Sequence, residues 1–80
     1  MISTNTYLTR HAFIRAIERG IDSDIIYSTL KTGKTLYFGK NNLKITKQFK
    51  KFTITCIGIV EGDQTKIITI TKNEKMPRMQ

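Results

Sequence analysis

The chain has 80 residues, 39% of them apolar, and a formal net charge of +8 at pH 7. This length allows one domain with a small core, and the single cysteine, Cys56, excludes an internal disulfide and is expected to be buried. No segment approaches the ~20 apolar residues of a membrane span, and one histidine with one cysteine is too few for a zinc site of these ligands. We therefore expect a cytoplasmic protein without metal or cofactor.

The positive charge is concentrated in one stretch of the chain. Residues 31–55 contain seven lysines and no acidic residue, whereas basic and acidic residues nearly balance elsewhere. Charge concentrated in this way attracts polyanions, and nucleic acid is the commonest of these. The alternative is a solvated surface that only keeps a small protein soluble.

Two helices are predicted in the first half of the chain. Thr9 is a typical N-cap for the first helix, and Gly20 is a typical left-handed residue at its end. The buried stripe at helical spacing is expected to comprise Phe13, Ala16, Ile17 and Gly20. A shorter second helix is expected to start with Asp22 as its cap and to end at Gly33.

From Lys34 onward the pattern changes to the alternation of strands. Strands are predicted over residues 35–38, 43–49, 52–60 and 65–71, with turns at 39–42 and 61–64. The predicted fold is α+β, with two N-terminal helices packed on one face of a four-stranded antiparallel sheet (ααββββ). We expect one domain over residues 1–80, with a core at 6–72 and a flexible tail at 73–80.

His11 is the only imidazole and the one candidate for a general base near neutral pH. It lies in the first turn of the predicted helix, and Arg15 and Arg19 follow on the same line of the helix surface. In RNA cleavage a base removes the 2′-hydroxyl proton while cations hold the phosphate, and this needs no metal. The alternative is an ordinary surface histidine on a solvated helix face, with Arg15 paired to Glu18.

Further candidates come from the strands. Thr69 and Thr71 are predicted to share one strand face with Ile67, where a hydroxyl could donate to a phosphate oxygen, although threonine is also common in strands for its β propensity. Tyr37 could stack on an unpaired base or pack in the core. The other expected RNA contacts are Arg10, Arg19, Lys34, Lys44, Lys47, Lys50 and Lys51.

The N-terminal motif resembles that of a known family. Thr9-Arg10-His11-Ala12, then Arg15 and Glu18-Arg19-Gly20-Ile21, is similar to the HAxxRxxERGI helix of a small domain family. Gly33-Lys34, the Gly62-Asp63 turn and the last strand, Ile67-Ile68-Thr69-Ile70-Thr71, are similar too. That family is grouped with the barnase–EndoU–colicin–RelE (BECR) superfamily of small ribonucleases, many of them bacterial toxins. The resemblance spans about residues 6–72.

The resemblance implies a metal-independent endoribonuclease that acts as a toxin and leaves a 2′,3′-cyclic phosphate. It also implies an acidic antitoxin or immunity protein as a partner. The site residues of the superfamily would match His11, Arg15 or a strand lysine (Lys44 or Lys47), and Thr69 or Thr71. The chain lacks the second histidine of EndoU and the glutamate base of barnase, so a lysine or His11 itself would protonate the leaving oxygen.

Two other functions are compatible with the same residues. One is a nucleic-acid-binding module without catalysis, whose affinity would fall steeply with salt. The other is an accessory protein whose basic surface binds an acidic protein. The predicted edge strand at 35–38 could pair with a partner or with a second copy, which leaves the oligomeric state open.

Overall fold

The fold is a five-stranded sheet with two helices on one face, seen in a computed structural model that describes residues 5–74. The elements in chain order are β1 (Asn5–Leu8), α1 (Arg10–Glu18), α2 (Ser23–Thr32), β2 (Lys34–Phe38), β3 (Asn42–Gln48), β4 (Phe52–Glu61) and β5 (Gln64–Glu74). The strand order is β1-β5-β4-β3-β2, in which β1 is parallel to β5 and the other neighbours are antiparallel. No helix in the described part of the chain has the length and apolarity needed to cross a bilayer.

The predicted α+β class and two helices are confirmed, but the sheet is larger than expected. Asn5–Leu8 adds a fifth strand, parallel to the start of β5, so the sheet is mixed. This short strand pairs with the far end of the chain, and no local pattern marks it. The last strand also runs to Glu74, beyond the predicted end at 71. Residues 73 and 74 of the predicted tail therefore belong to β5, and residues 75–80 lie outside the described part.

Local capping rules place α1 as expected. The Thr9 hydroxyl accepts a hydrogen bond from the Ala12 backbone N at 3.2 Å, and this satisfies a free donor of the first turn. Gly20 follows the helix with a φ of 80°, a conformation that favours glycine. Asp22 occupies the N-cap position of α2, but its side chain accepts no capping hydrogen bond from the described residues.

The buried stripe of α1 differs from the prediction. Ala12 and Ala16 are buried against the sheet, whereas Phe13 and Ile17 are 36% and 46% exposed. The two alanines are four residues apart, and so are Phe13 and Ile17, so the helical pattern alone does not indicate which of the two pairs is buried. The alanines face inward because their small side chains let α1 lie close to β5, the strand on which it packs. The helix line that carries His11 is thereby held beside the sheet.

The core is one apolar layer between the helices and the sheet, and α2 covers β3 and β4. Ile45, Cys56 and Ile70 form a row across three strands, and each is at most 1% exposed. The expected burial of Cys56 is confirmed. Since the helices cover only this face, the other face of the sheet remains uncovered by any described helix.

A β-bulge at Ile68 changes which way β5 presents its side chains. Ile57 on β4 pairs with Thr69, whereas the next residue of β4 pairs with Ile67, so Ile68 is one extra residue. Ile67 faces the core, while Thr69 and Thr71 face the uncovered side. The prediction that the two threonines share a face with Ile67 is wrong, because an inserted residue reverses the alternation.

Candidate active site

A groove of about 240 Å³ lies between α1 and the part of β5 that follows the bulge. The polar side chains that line it are His11, Arg15, Arg19 and Thr69, and the rest of the lining is Ala12, Ile68 and Ile70. Three of the four polar groups come from successive turns of one helix, and the fourth comes from the last strand. The structure therefore brings together candidates from opposite ends of the chain.

The groove exists because β1 stops covering β5 at Ile67. Leu8 pairs with Ile67, and Thr9 then turns the chain into α1. The backbone N and the hydroxyl of Thr9 both donate to the carbonyl oxygen of Ile67, each at 3.1 Å. Beyond Ile67 the outer edge of β5 has no strand neighbour within residues 5–74, and α1 lies beside it.

Arg19 holds the other end of α1 against the same strand edge. Its Nη1 donates a hydrogen bond of 2.6 Å to the carbonyl oxygen of Ile70. A guanidinium has five N–H donors, so this bond leaves others for a ligand in the groove. Arg19 is thus both a structural tie and a cation with a fixed position.

Within residues 5–74 no carboxylate forms an ion pair with the arginines of the groove. Two ion pairs, Lys66–Glu61 at 3.7 Å and Lys72–Glu74 at 3.9 Å, involve residues that do not line the groove. Arg15 is exposed and pairs with no carboxylate of the described chain, Glu18 included. The alternative in which Arg15 is occupied by Glu18 therefore has no support in this geometry, and the groove suits an anion.

The two candidate threonines have different positions. Thr69 is exposed and lines the groove, because the bulge sets its side chain on the uncovered side of β5. Thr71 lies opposite Thr55 of β4 and does not line the groove. Of the predicted catalytic set, His11, Arg15 and Thr69 are thus brought together, and Thr71 is not.

The face of the sheet that the helices leave uncovered, here called the open face, continues from the groove. The cross-strand register places Thr69 in one row with Ile57, Lys44 and Leu36. Lys44 is two strands from Thr69, which corresponds to roughly 10 Å. Lys34 lies in the next row, and with Lys44 it lines a shallow pocket of about 250 Å³. A chain of phosphates that leaves the groove over this face would meet both lysines.

Other predicted contacts lie elsewhere. Arg10 lines a separate groove of about 530 Å³ between β1 and the helices. Lys47 points to the helix side, where its Nζ donates to the hydroxyls of Ser28 at 2.6 Å and Thr32 at 2.7 Å. Tyr37 is on the helix side of β2, opposite the buried Leu43, and is 59% exposed. These three residues do not share a surface with the His11 groove.

Lys50 and Lys51 are exposed in the connection between β3 and β4. Their position suits general attraction of a polyanion more than a defined contact.

Two features of the site were not predicted from the sequence, namely the bulge at Ile68 and the hydrogen bond from Arg19 to the carbonyl oxygen of Ile70. The Arg19 bond has no local signal, since it depends on how distant parts of the chain pack, whereas the adjacent Ile67 and Ile68, which break the alternation, are a local signal of the bulge.

Comparisons of the chain with family models, curated proteins and solved structures find no match. The chemistry of the groove must therefore be inferred from its own residues. Among residues 5–74 no three His, Cys, Asp or Glu side chains lie near enough to one another to hold a metal ion.

Proposed function

We propose that the chain is an endoribonuclease that cleaves RNA in the groove between α1 and β5 without a metal ion. The observation that carries this proposal is that one imidazole, two guanidinium groups and one strand hydroxyl line the same groove. Such a set supplies a general base together with cations and a donor for the phosphate.

His11 is the general base in this proposal. It takes the proton of a ribose 2′-hydroxyl, and the 2′ oxygen attacks the adjacent phosphorus. The bond from phosphorus to the 5′ oxygen breaks, which leaves a 2′,3′-cyclic phosphate on one product. The protonated imidazole, or a lysine, gives a proton to the departing 5′ oxygen, so that the second product has a 5′-hydroxyl. The nucleophile belongs to the RNA, so no activated water is needed in this step.

The arginines stabilise the charge that develops on the phosphate. Arg15 has no carboxylate partner in the described chain, so its guanidinium is free to bind two phosphate oxygens. Arg19 is held by the Ile70 carbonyl and offers its other donors from a fixed position. Thr69 donates its hydroxyl from the strand side of the groove.

The size of the groove indicates how much of the RNA it takes. Its volume of about 240 Å³ is below the ~300–1,000 Å³ of pockets that enclose a drug-sized ligand. A phosphate and its sugar therefore occupy the groove, while the flanking nucleotides lie over the open face near Lys44 and Lys34. An acidic protein that covered these lysines, as an antitoxin or immunity protein would, would compete with RNA.

The second candidate function is RNA binding without cleavage. Lys34, Lys50 and Lys51 are exposed, and they would attract phosphates whether or not His11 is catalytic. In that case affinity would depend strongly on salt, and His11 would be an ordinary surface residue.

The test is incubation of the purified protein with total RNA in EDTA. We expect wild-type protein to cleave the RNA and His11→Ala to be slower by about 10²–10⁴-fold, the usual contribution of a general base. An oligonucleotide with a 2′-deoxy sugar at the cleavage position should stay intact, because it lacks the nucleophile. Lys31→Gln is the control, since it removes one positive charge outside the groove.

Each outcome assigns one function. Cleavage in EDTA that is lost in His11→Ala supports the nuclease. Intact RNA that is shifted in a gel, and released by salt, supports the binding module. Cleavage of equal rate in wild type and His11→Ala would show that this imidazole is not the base.

A further inference from the structure

The strand β2 ends the sheet on the side opposite β1. Among the described residues it has β3 as a neighbour on one edge and no strand on the other. It also exposes three consecutive large side chains, with Leu36 57%, Tyr37 59% and Phe38 43% exposed. An uncovered apolar edge strand is a template for pairing with another strand. The question is which strand fits it.

We propose that two copies of this chain pair through β2, antiparallel, about a two-fold axis at Leu36. This register places Leu36 opposite Leu36 of the second copy. It places Lys34 opposite Phe38 of the second copy, and Thr35 opposite Tyr37 of the second copy. All five residues of Lys34–Phe38 then have a partner. The pairing does not depend on the proposed function.

The chemistry of β2 is self-complementary in this register. Lys34, Leu36 and Phe38 lie on the open face, so each Lys34 ammonium meets an aromatic ring, a favourable contact. The two leucines at the axis bury apolar surface against each other. Lys34 is the only charged residue of β2, and the two copies of it lie at opposite ends of the paired strands.

Neighbouring registers fit less well. An axis at Tyr37 would set Lys34 opposite Lys40 of the second copy, and like charges directly opposite are destabilising. An axis at Thr35 would leave Phe38 beyond the paired strand. Opposed residues of an antiparallel pair alternate between hydrogen-bonded and non-hydrogen-bonded pairs. With the axis at Leu36, backbone hydrogen bonds form in either case. They join Leu36 to Leu36 of the second copy, or they join Thr35 to Tyr37 of the second copy.

The pairing would join two five-stranded sheets into one sheet with both open faces on the same side. The row from Thr69 through Lys44 to Leu36 then continues into the second copy. The two copies of Thr69 would be on the order of 30–35 Å apart across the joined sheet. If the groove cleaves RNA as proposed, one RNA molecule would reach both grooves along one basic surface.

The first experiment measures molecular mass by light scattering and sedimentation over a wide range of protein concentration. We expect wild-type protein to pass from monomer to dimer as concentration rises. Leu36→Lys should stay monomeric, because it sets two like charges face to face at the axis. Ile14→Lys is the matched control, since Ile14 is 46% exposed on α1 and should leave dimerisation unchanged. Circular dichroism verifies that both variants are folded.

The second experiment tests the register by cross-linking in a Cys56→Ala background. Opposed residues of an antiparallel pair have Cα atoms ~4.5–5.5 Å apart, which a disulfide spans. Leu36→Cys should therefore form a linked dimer under mild oxidation. Tyr37→Cys alone should not, whereas Tyr37→Cys mixed with Thr35→Cys should form a linked heterodimer.

Other results would overturn the proposal. One is a wild-type protein that is monomeric at every concentration. The other is a dimer that persists in Leu36→Lys and that Leu36→Cys fails to cross-link. A monomer whose RNA affinity falls in Leu36→Lys would assign this strand to RNA and not to a second copy.

Discussion

The guanidinium of Arg19 donates a hydrogen bond of 2.6 Å to the carbonyl oxygen of Ile70, a residue 51 positions away in the sequence. Thr9, at the other end of α1, donates to the carbonyl oxygen of Ile67 on the same strand edge. The helix is therefore fastened to β5 at both ends. The groove that His11 lines is what remains between these two attachments.

Loss of the Arg19 attachment should lower stability. Arg19→Met keeps most of the apolar part of the side chain and removes the hydrogen-bond donor. We expect the free energy of unfolding to fall by about 1 kcal/mol, because the donor is charged but the bond lies at the surface. Arg15→Met is the matched control, since it removes the same charge from the same helix line without a described hydrogen bond. Its effect should be within about 0.5 kcal/mol. Urea unfolding followed by circular dichroism measures both, and equal losses would contradict this role of Arg19.

The position of Thr69 predicts its effect on cleavage. If the nuclease proposal is correct, Thr69→Val should slow the single-turnover cleavage step by about 10²-fold, as expected for loss of one donor to a developing charge. Thr71→Val should have a much smaller effect, because Thr71 does not line the groove. Both positions are on the same strand face, so the pair controls for changes in β propensity. A larger effect at Thr71 would show that the groove is not where the phosphate binds.

Two buried threonines should respond in opposite directions to the same substitution. Thr65 is fully buried, and its hydroxyl has no hydrogen-bond partner among the described residues. Thr65→Val removes this unpaired polar group at nearly constant shape and should raise the free energy of unfolding by about 1 kcal/mol. Thr29 is equally buried, but its hydroxyl donates to the Ile25 carbonyl at 2.9 Å. Thr29→Val should therefore lower the free energy of unfolding by about 0.5–1.5 kcal/mol.

Urea unfolding of the two valine variants beside wild type measures this difference. A loss of stability in Thr65→Val would mean that the hydroxyl is satisfied in solution.

The thiol of Cys56 predicts a loss of stability at alkaline pH. Burial raises the pKa of this thiol from 9.0 to about 12. The thiol of the unfolded chain ionises at the lower value, so its contribution to stability is fully present below about pH 9 and is lost as the pH rises towards 12. The free energy of unfolding should fall by at most about 1.4 kcal/mol per pH unit in this window.

The comparison of wild type with Cys56→Ala isolates the thiol, because all other ionisable groups are the same in both proteins. The slope of unfolding free energy against pH should be steeper in wild type above pH 9.0, the ordinary pKa of the thiol. Equal slopes would contradict the strong burial of the thiol. In native protein the same group should react slowly with thiol reagents at neutral pH.

Short-range rules account for the parts of the fold that were predicted from sequence. Thr9 and Gly20 mark the two ends of α1 through capping and backbone preferences that involve only a few neighbouring residues. The antiparallel strands follow from alternation and from turn residues. The alignment of His11 and Arg15 on one side of α1 follows from helical spacing alone, so the helix side of the groove could be predicted.

The features that were missed depend on long-range packing. Asn5–Leu8 is a strand because Gln64–Ile67 lies beside it, and nothing near it in the sequence indicates that neighbour. The last strand continues past its predicted end at residue 71, and Lys72 belongs to it, where its Nζ lies 4.9 Å from the centre of the Phe52 ring. The bulge at Ile68 was missed, although the adjacent Ile67 and Ile68 interrupt the alternation of apolar and polar residues, and it decides where Thr69 points.

The hydrogen bonds of Thr9 join the assembly of the helix to that of the sheet. One hydroxyl both starts α1 and reaches a carbonyl 58 residues further along the chain. The helix end, the N-terminal strand and the last strand must therefore be assembled together before His11 faces its groove. A contact of such long range forms slowly and cooperatively. If the nuclease proposal is correct, a nascent chain that has not yet released its last strand would hold all of the helix residues of the site and would not yet cleave RNA.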